Sequence, residues 1–279
     1  MHKSVLVKEI IDSLHINSQS RIIDATLGAG GHTQEIVKRG AKVLGVETDP
    51  KMLEIARKNL ESFKDRVIFA KGNFKDIDSI AKNNNFEKVD AILFDLGISS
   101  FHIDDFKRGF SFRERESLLD MRLDPDSLAL KGSDLLNTLR EDQLKELFSV
   151  SITEPDLSRL VRKIINYRIQ NLIKTVGQFK EIVDSVSSRG RSLIPSTLAF
   201  MAVRIAVNSE LDVLSQALPK AYSLLKKDGK LLIISFHSGE DSIVKKFFKK
   251  EGILIIPTKE EIDENSRARS AKLRILTKT

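Results

Sequence analysis

The sequence predicts an α/β fold, a doubly wound sheet of seven strands with a helical segment inserted between the fourth and the fifth. Three observations predict it. Short apolar runs alternate with helical patterns from Arg21 to Leu96, the pattern of a parallel sheet covered on both faces. The alternation then lapses from Leu96 to Lys230, a stretch far longer than a crossover needs and rich in helical periodicity. The last two apolar runs are separated by a polar stretch, which predicts a closing hairpin and makes the sheet mixed, with a terminal antiparallel strand.

Taken in order, the runs that read as strands are Arg21–Leu27, Lys42–Thr48, Val67–Ala70, Val89–Leu96, Lys230–Phe236, Ile253–Ile256 and Lys272–Thr277. Met52–Phe63 reads as a helix opened by Asp49-Pro50, with Asp49 as N-cap and Pro50 in the first turn. The inserted segment spans roughly Asp104–Ser192. Its clearest helix is Pro155–Ile173, where Leu157, Leu160, Val161, Ile164, Ile165, Ile169 and Leu172 form one apolar stripe and Arg159, Arg162, Lys163 and Asn166 fall away from it. A helix over Thr197–Leu225 leads back to the sheet through a turn at Lys227-Asp228-Gly229. The expected organisation is therefore a discontinuous domain, residues 1–103 and 193–279, carrying an inserted helical subdomain at 104–192.

The chain has 279 residues, 41% hydrophobic and 30% charged, a soluble globular composition. It has no cysteine, which excludes disulfides and thiolate metal sites and fits a reducing, cytoplasmic setting. No run has the length of a membrane span and the first residues lack an apolar leader core, so no membrane association is expected. The net charge is +7. Leu157–Arg191 holds eight basic residues against two acidic, and Lys245 to Thr279 ten against five. Two basic zones favour a polyanionic partner, the alternative being a merely solvated surface.

The chemistry is concentrated in Asp24-Ala-Thr-Leu-Gly28-Ala-Gly30-Gly31-His32, which follows the first apolar run, and in Glu47, which ends the second. A glycine-rich loop between strand and helix lets the backbone approach a nucleotide-type ligand at the carboxyl edge of the sheet. An acid at the end of the second strand can accept hydrogen bonds from both ribose hydroxyls. The loop reads Gly-x-Gly-Gly, and Thr33 stands where a dinucleotide enzyme needs its third glycine beside a pyrophosphate. S-adenosylmethionine has a ribose and an amino-acid tail but no phosphate, and suits the loop better. Another nucleotide, or a purely structural turn, remains the alternative.

The fourth strand ends in Asp95-Leu-Gly97-Ile-Ser99-Ser100, at the edge where an open α/β sheet places its ligands. Asp95, Ser99 and Ser100 are the candidate catalytic residues. Methyl transfer to nitrogen is an in-line displacement that must align a lone pair with the methyl–sulfur bond at about 3 Å. Acceptors on the hydrogens of an exocyclic amine would draw its nitrogen toward tetrahedral geometry and expose that pair. His32 sits inside the ligand loop. His237, in Ser235-Phe-His-Ser238, is either a site wall or a structural hydrogen-bonding group. Arg108-Gly-Phe-Ser-Phe112 offers a guanidinium and aromatics for RNA, or else a loop packing its phenylalanines. Leu119-Asp-Met-Arg122 places an acid close to an arginine, with a purely local ion pair as the plain alternative. No metal-ligand spacing is present.

Together these segments resemble the bacterial 16S ribosomal RNA cytosine-N4 methyltransferases known as MraW or RsmH. The matching motifs run almost the whole length: Ser4-Val-Leu-Val-Lys-Glu9, the glycine loop, Asp95–Ser100, Arg108–Phe112, Leu119–Arg122, Val203–Leu211, Ile234–Ser238 and Arg267-Ala-Arg-Ser-Ala-Lys-Leu-Arg274. The resemblance implies a class I S-adenosylmethionine-dependent methyltransferase fold, Rossmann-like. It implies methylation of N4 of one cytidine in the decoding region of the small ribosomal subunit, with 16S rRNA as partner and the helical insertion at 104–192 helping to recognise the substrate; the assembly is left open by the sequence, a homodimer being one option. It also implies cofactor contacts from Gly30, Gly31, His32 and Glu47, with Phe74 beside the adenine and Asp95 and His102 completing the site. The family usually has aspartate where Glu47 stands, and either acid can hold a ribose. It usually reads Ser-Ser-Pro-Gln where this chain has Ser99-Ser-Phe-His102. Two rival readings are a non-catalytic RNA-binding protein of ribosome assembly and a small-molecule methyltransferase. The first predicts RNA affinity without transfer, the second little dependence on salt.

Overall fold

The computed structural model describes residues 4–188, 191–192, 195–249 and 251–279, and divides into two compact units, Met1–Ser99 with Leu211–Thr279, and Ser100–Glu210. The first unit is the sheet. Its strands are β1 (Arg21–Asp24), β2 (Lys42–Glu47), β3 (Val67–Lys71), β4 (Val89–Asp95), β5 (Leu225–Ser235), β6 (Ile253–Ile255) and β7 (Lys272–Thr277). They lie in the order β3-β2-β1-β4-β5-β7-β6. The first five are mutually parallel, β7 runs antiparallel to β5, and β6 pairs antiparallel with β7 alone. This is the expected mixed sheet of the class I methyltransferase fold.

Alternation along each strand builds a core on both faces. Ile23, Leu44, Val46, Ile92, Phe94, Leu231 and Ile233 pack on one side with Ile77, Ala81 and Leu214–Leu224 positions of two covering helices, Ile77–Asn83 and Glu210–Leu224. Ile22, Val43, Ala91, Leu93, Leu232 and Ile234 pack on the other with Ile10, Ile36, Leu53 and Ala56, from helices Val7–Leu14, Gly31–Val37 and Pro50–Asn59. Asp49 caps the last of these, its side chain accepting from the Lys51 N–H at 2.9 Å.

Three local expectations are corrected here. Strand β1 stops at Asp24 rather than Leu27, because the chain leaves the ladder while the Ala25 N–H still donates to Leu93 O and the Leu27 N–H to Val46 O. Strand β5 begins at Leu225, not Lys230, and the expected Lys227-Asp228-Gly229 turn is a bulge inside it, where the register against β4 jumps from Leu225 to Lys230 and Asp228 takes φ 62°. The helix expected over Thr197–Leu225 is two helices, Ser196–Asn208 and Glu210–Leu224, broken at Ser209 with φ 50°.

The second unit is helical: Gly132–Thr138, Glu141–Ser149, Asp156–Gln170, Val176–Asp184 and Ser196–Asn208 surround a core that includes Phe148, Phe179 and Phe200. Phe179 lies 4.9 Å from Phe200 and 6.2 Å from Phe148, centroid to centroid. Phe200 belongs to helix Ser196–Asn208, so the unit extends to Glu210, wider than the expected 104–192 span. In helix Asp156–Gln170, Leu157, Leu160, Val161 and Ile164 are buried, but Ile169 is 76% exposed, and Leu172, beyond the helix end, 57%. The stripe therefore ends early. Arg168, beside Ile169, turns to the neighbouring helix and donates to Leu136 O and Leu139 O at 2.9 and 2.7 Å. Arg162, Lys163 and Asn166 are exposed as expected.

Candidate active site

The glycine loop after β1 is shaped by two left-handed glycines, Gly28 (φ 54°) and Gly30 (φ 88°). Gly31 starts helix Gly31–Val37, and a Cβ there would lie 2.1 Å from Ser4 Oγ. The Ser4 side chain therefore packs directly against the start of this helix. Leu6, at φ 55°, is held in that segment by its N–H donating to Glu261 Oε1 at 2.7 Å.

Glu47 ends β2 and faces the same loop. Its Oε2 accepts from the Gly28 N–H and its Oε1 from the Asp49 N–H, each at 2.8 Å. Each oxygen keeps a second lone pair, so the carboxylate can still receive two hydroxyl donors. Burial pushes Glu47 up to about 7, against the backbone N–H donors of Asp49 and Gly28 that hold it down. Phe74 follows β3 at the same edge. The Gly72 N–H donates to Glu47 O at 2.9 Å, and the half-buried Phe74 ring stands edge-on to Phe94 at 5.4 Å.

The end of β4 brings Asp95 beside His32. His32 Nε2 lies 3.3 Å from Asp95 Oδ2, close enough for an ion pair but out of line for a hydrogen bond. Burial disfavours charge on His32, and the Asp95 carboxylate outweighs it, with Asp24 and Glu261 adding, so the imidazole is held above its ordinary value. The Asp95 N–H donates to Thr26 Oγ1 at 2.6 Å. Asp95 Oδ1 is buried with no hydrogen-bond donor among the described residues. A buried acceptor of that kind is costly unless something donates to it. Ser99 Oγ lies 3.6 Å from Met52 Sδ, on the loop that follows.

The sequence-predicted residues Gly30, Gly31, His32, Glu47, Phe74, Asp95 and Ser99 are all in the first unit, at the carboxyl edge of β1–β4. Ser100 and His102 belong to the second unit, in helix Ser100–Asp104. The Ser100 side chain lies outside the described residues. His102 is buried, its ring 5.4 Å from that of Phe110. Arg108 donates to Arg122 O and Leu123 O at 2.6 and 2.9 Å and lies over the Phe110 ring, so the loop-packing alternative holds for that motif. Asp120 and Arg122 form the local ion pair, bidentate at 2.7 and 2.8 Å.

Four supporting residues escaped the sequence reading: Thr26, Thr33, Ser4 and Glu261. Thr33 was notable only as the missing glycine, yet its hydroxyl donates to the buried Asp24 Oδ2 at 2.7 Å. Burial raises Asp24, with the Thr33 hydroxyl opposing. The Ser4–Glu9 motif was the available signal for Ser4, and nothing local marks Glu261.

A buried acid closing β2, a glycine loop after β1 and a buried acceptor at the end of β4 gather at one sheet edge, where an open α/β sheet of this class places its ligand. The profile of the MraW methylase family matches residues 1–279, and the chain belongs to that family. It is thus an S-adenosylmethionine-dependent methyltransferase. The small-subunit ribosomal RNA methyltransferase H of Dictyoglomus thermophilum is 41% identical, with 99% of this chain and 96% of that one aligned. That of Thermotoga neapolitana is 39% identical over 98% and 94%. A crystal structure of an rRNA methylase from Streptococcus thermophilus matches at TM-score 0.46 and 12% identity, covering 100% and 98% of the two chains. Among the described residues no helix is long and apolar enough to cross a membrane.

Proposed function

We propose that this protein methylates N4 of a cytidine in the decoding region of 16S rRNA, within the small ribosomal subunit. The names of its relatives support the ribosomal RNA substrate. The observation that carries the chemistry is Asp95 Oδ1, a buried carboxylate oxygen beside the glycine loop with no donor among the described residues. An exocyclic amine supplies the missing hydrogen.

S-adenosylmethionine, when bound, supplies an electrophilic methyl group on sulfur. Glu47 accepts the ribose hydroxyls, and the backbone at Gly30 and Gly31 leaves room for the amino-acid tail. Phe74 offers an apolar edge for the adenine. Asp95 accepts a hydrogen of the cytosine amine, which weakens conjugation of the nitrogen lone pair with the ring and orients it for attack at about 3 Å. Ser99 is placed on the following loop to accept the second hydrogen. His32, with Nε2 3.3 Å from Asp95 Oδ2, holds that carboxylate in place.

The test is methyl transfer from labelled S-adenosylmethionine to small subunits lacking the modification, with the product nucleoside identified by mass spectrometry. N4-methylcytidine is the expected product. A different methylated nucleoside overturns the position. Cofactor binding without any transfer favours the non-catalytic assembly reading.

A further inference from the structure

A cleft of about 390 Å³ opens beyond the carboxyl end of β5, outside the glycine loop and Glu47. Phe236, Ile256, Pro257 and Ile262 form its apolar part, and Arg269 and Lys272 stand at its basic side. All six belong to the first unit. Phe236 also faces the Asp95 loop: its Cδ2 lies 3.8 Å from where a Cβ on Gly97 would be. The cleft and the acceptor loop are therefore one aromatic ring apart on the same sheet edge.

Its charge and exposure are not those of a structural gap. Asp241 pairs with both Lys272 (3.1 Å) and Arg274 (2.7 Å), so one carboxylate faces two cations. Arg269 is exposed and joins no ion pair among the described residues. Ile256 is 65% exposed, an apolar side chain presented to whatever enters. An apolar surface with an aromatic ring beside cations is how proteins hold single-stranded RNA, the base on the apolar part and the backbone phosphate on the cation. The volume is in the range of small-ligand pockets and takes one nucleotide.

We infer that this cleft binds an unpaired ribonucleotide flanking the methylated cytidine, with its base against Phe236 and Ile256 and its phosphate at Arg269 and Lys272. The inference rests on the RNA-substrate reading above. It gives the enzyme a grip on sequence context separate from the cofactor cradle.

The test uses the full chain with Arg269→Ala and, separately, Ile256→Asp, both at exposed positions where folding is little perturbed. The probe is a fluorescent single-stranded oligoribonucleotide carrying the target cytidine and its neighbours. Arg269→Ala is expected to weaken its binding about tenfold and to reduce the slope of log affinity against log salt by about 0.7. Ile256→Asp weakens binding similarly, and S-adenosylmethionine affinity, read by calorimetry, stays at the wild-type value in both. Wild-type affinity and salt slope in both variants overturn the inference, as does failure of the wild-type protein to bind the oligoribonucleotide. An equal loss of cofactor affinity also overturns it, because the cleft then serves the cofactor. Wild-type protein that binds the probe but methylates no cytidine in small subunits defeats the proposed function and leaves the cleft standing.

Discussion

His32 Nε2 and Asp95 Oδ2, 3.3 Å apart, join the loop after β1 to the end of β4 through one imidazole and one carboxylate. Asp95 holds His32 above its ordinary value against the opposing effect of burial. The pair's contribution to stability is thus complete below about pH 6.5, the free histidine value, and is lost as pH rises through the folded one. Asp95→Asn preserves shape and removes the charge. In that variant His32 should titrate at lower pH by NMR, and methyl transfer should fall by about a hundredfold or more. An unmoved His32 titration would show that Asp95 does not set its charge.

Glu47 yields a different pH dependence. Burial lifts it to about 7, above the ordinary carboxylate range, so its contribution to stability is present below about pH 4.3 and lost as pH rises through 7. Ribose hydroxyls are better received by the carboxylate. Affinity for S-adenosylmethionine should rise between pH 6 and 8, with proton release on binding. Calorimetry in two buffers of different ionisation enthalpy measures that proton. Glu47→Gln should flatten the profile and weaken binding about tenfold near pH 8. A flat wild-type profile would remove Glu47 from the ribose.

Gly31 and Ser4 form a testable steric pair. Gly31→Ala places a methyl group 2.1 Å from Ser4 Oγ, which must turn away, and the adjustment should cost about 1 kcal/mol in denaturant unfolding. Ser4→Ala removes that oxygen and leaves the Ser4 Cβ at 3.4 Å. The double variant should recover most of the loss. No recovery would mean the N-terminal segment does not lie against the loop.

Asn208 accepts from the Leu123 N–H and donates to Met121 O, both at 2.8 Å, fixing a stretch in which Met121 takes φ 64°. Asn208→Leu strands these buried backbone groups. A loss of about 2–4 kcal/mol in chemical denaturation is expected. A loss under half a kcal/mol would show the stretch to be held by other contacts.

Arg162 and Lys163 face away from the buried side of helix Asp156–Gln170. Arg162→Ala with Lys163→Ala should weaken binding to small subunits and reduce its salt dependence, with cofactor affinity unchanged. Unchanged subunit binding would take this helix off the RNA surface.

The legible parts of this chain were those with a local cause. Seven apolar runs, Asp49 before Pro50, and the glycines around His32 each carry their reason within a few residues. The break at Ser209 does not. No glycine marks it; it follows from Asn208 spending its side chain on the 121–123 backbone and from Arg204 and Glu210 pairing bidentately across it at 2.8 and 2.9 Å. Ile169 likewise reads as core by period, and is exposed because the buried side of its helix ends a turn earlier. Glu261 is more than two hundred residues from its partner Leu6, beyond any spacing rule.

Strand β6 has one neighbour, and that neighbour is made after it. During synthesis, at about 5–20 residues per second, Ile253–Ile255 emerges as an apolar segment with nothing to pair with, and β5 waits with one side open. Lys272–Thr277 then closes both gaps in a single insertion. The wall that carries Ile256, Arg269 and Lys272 is therefore assembled by that same insertion, so that side of the molecule matures only once Lys272–Thr277 has paired on both of its edges.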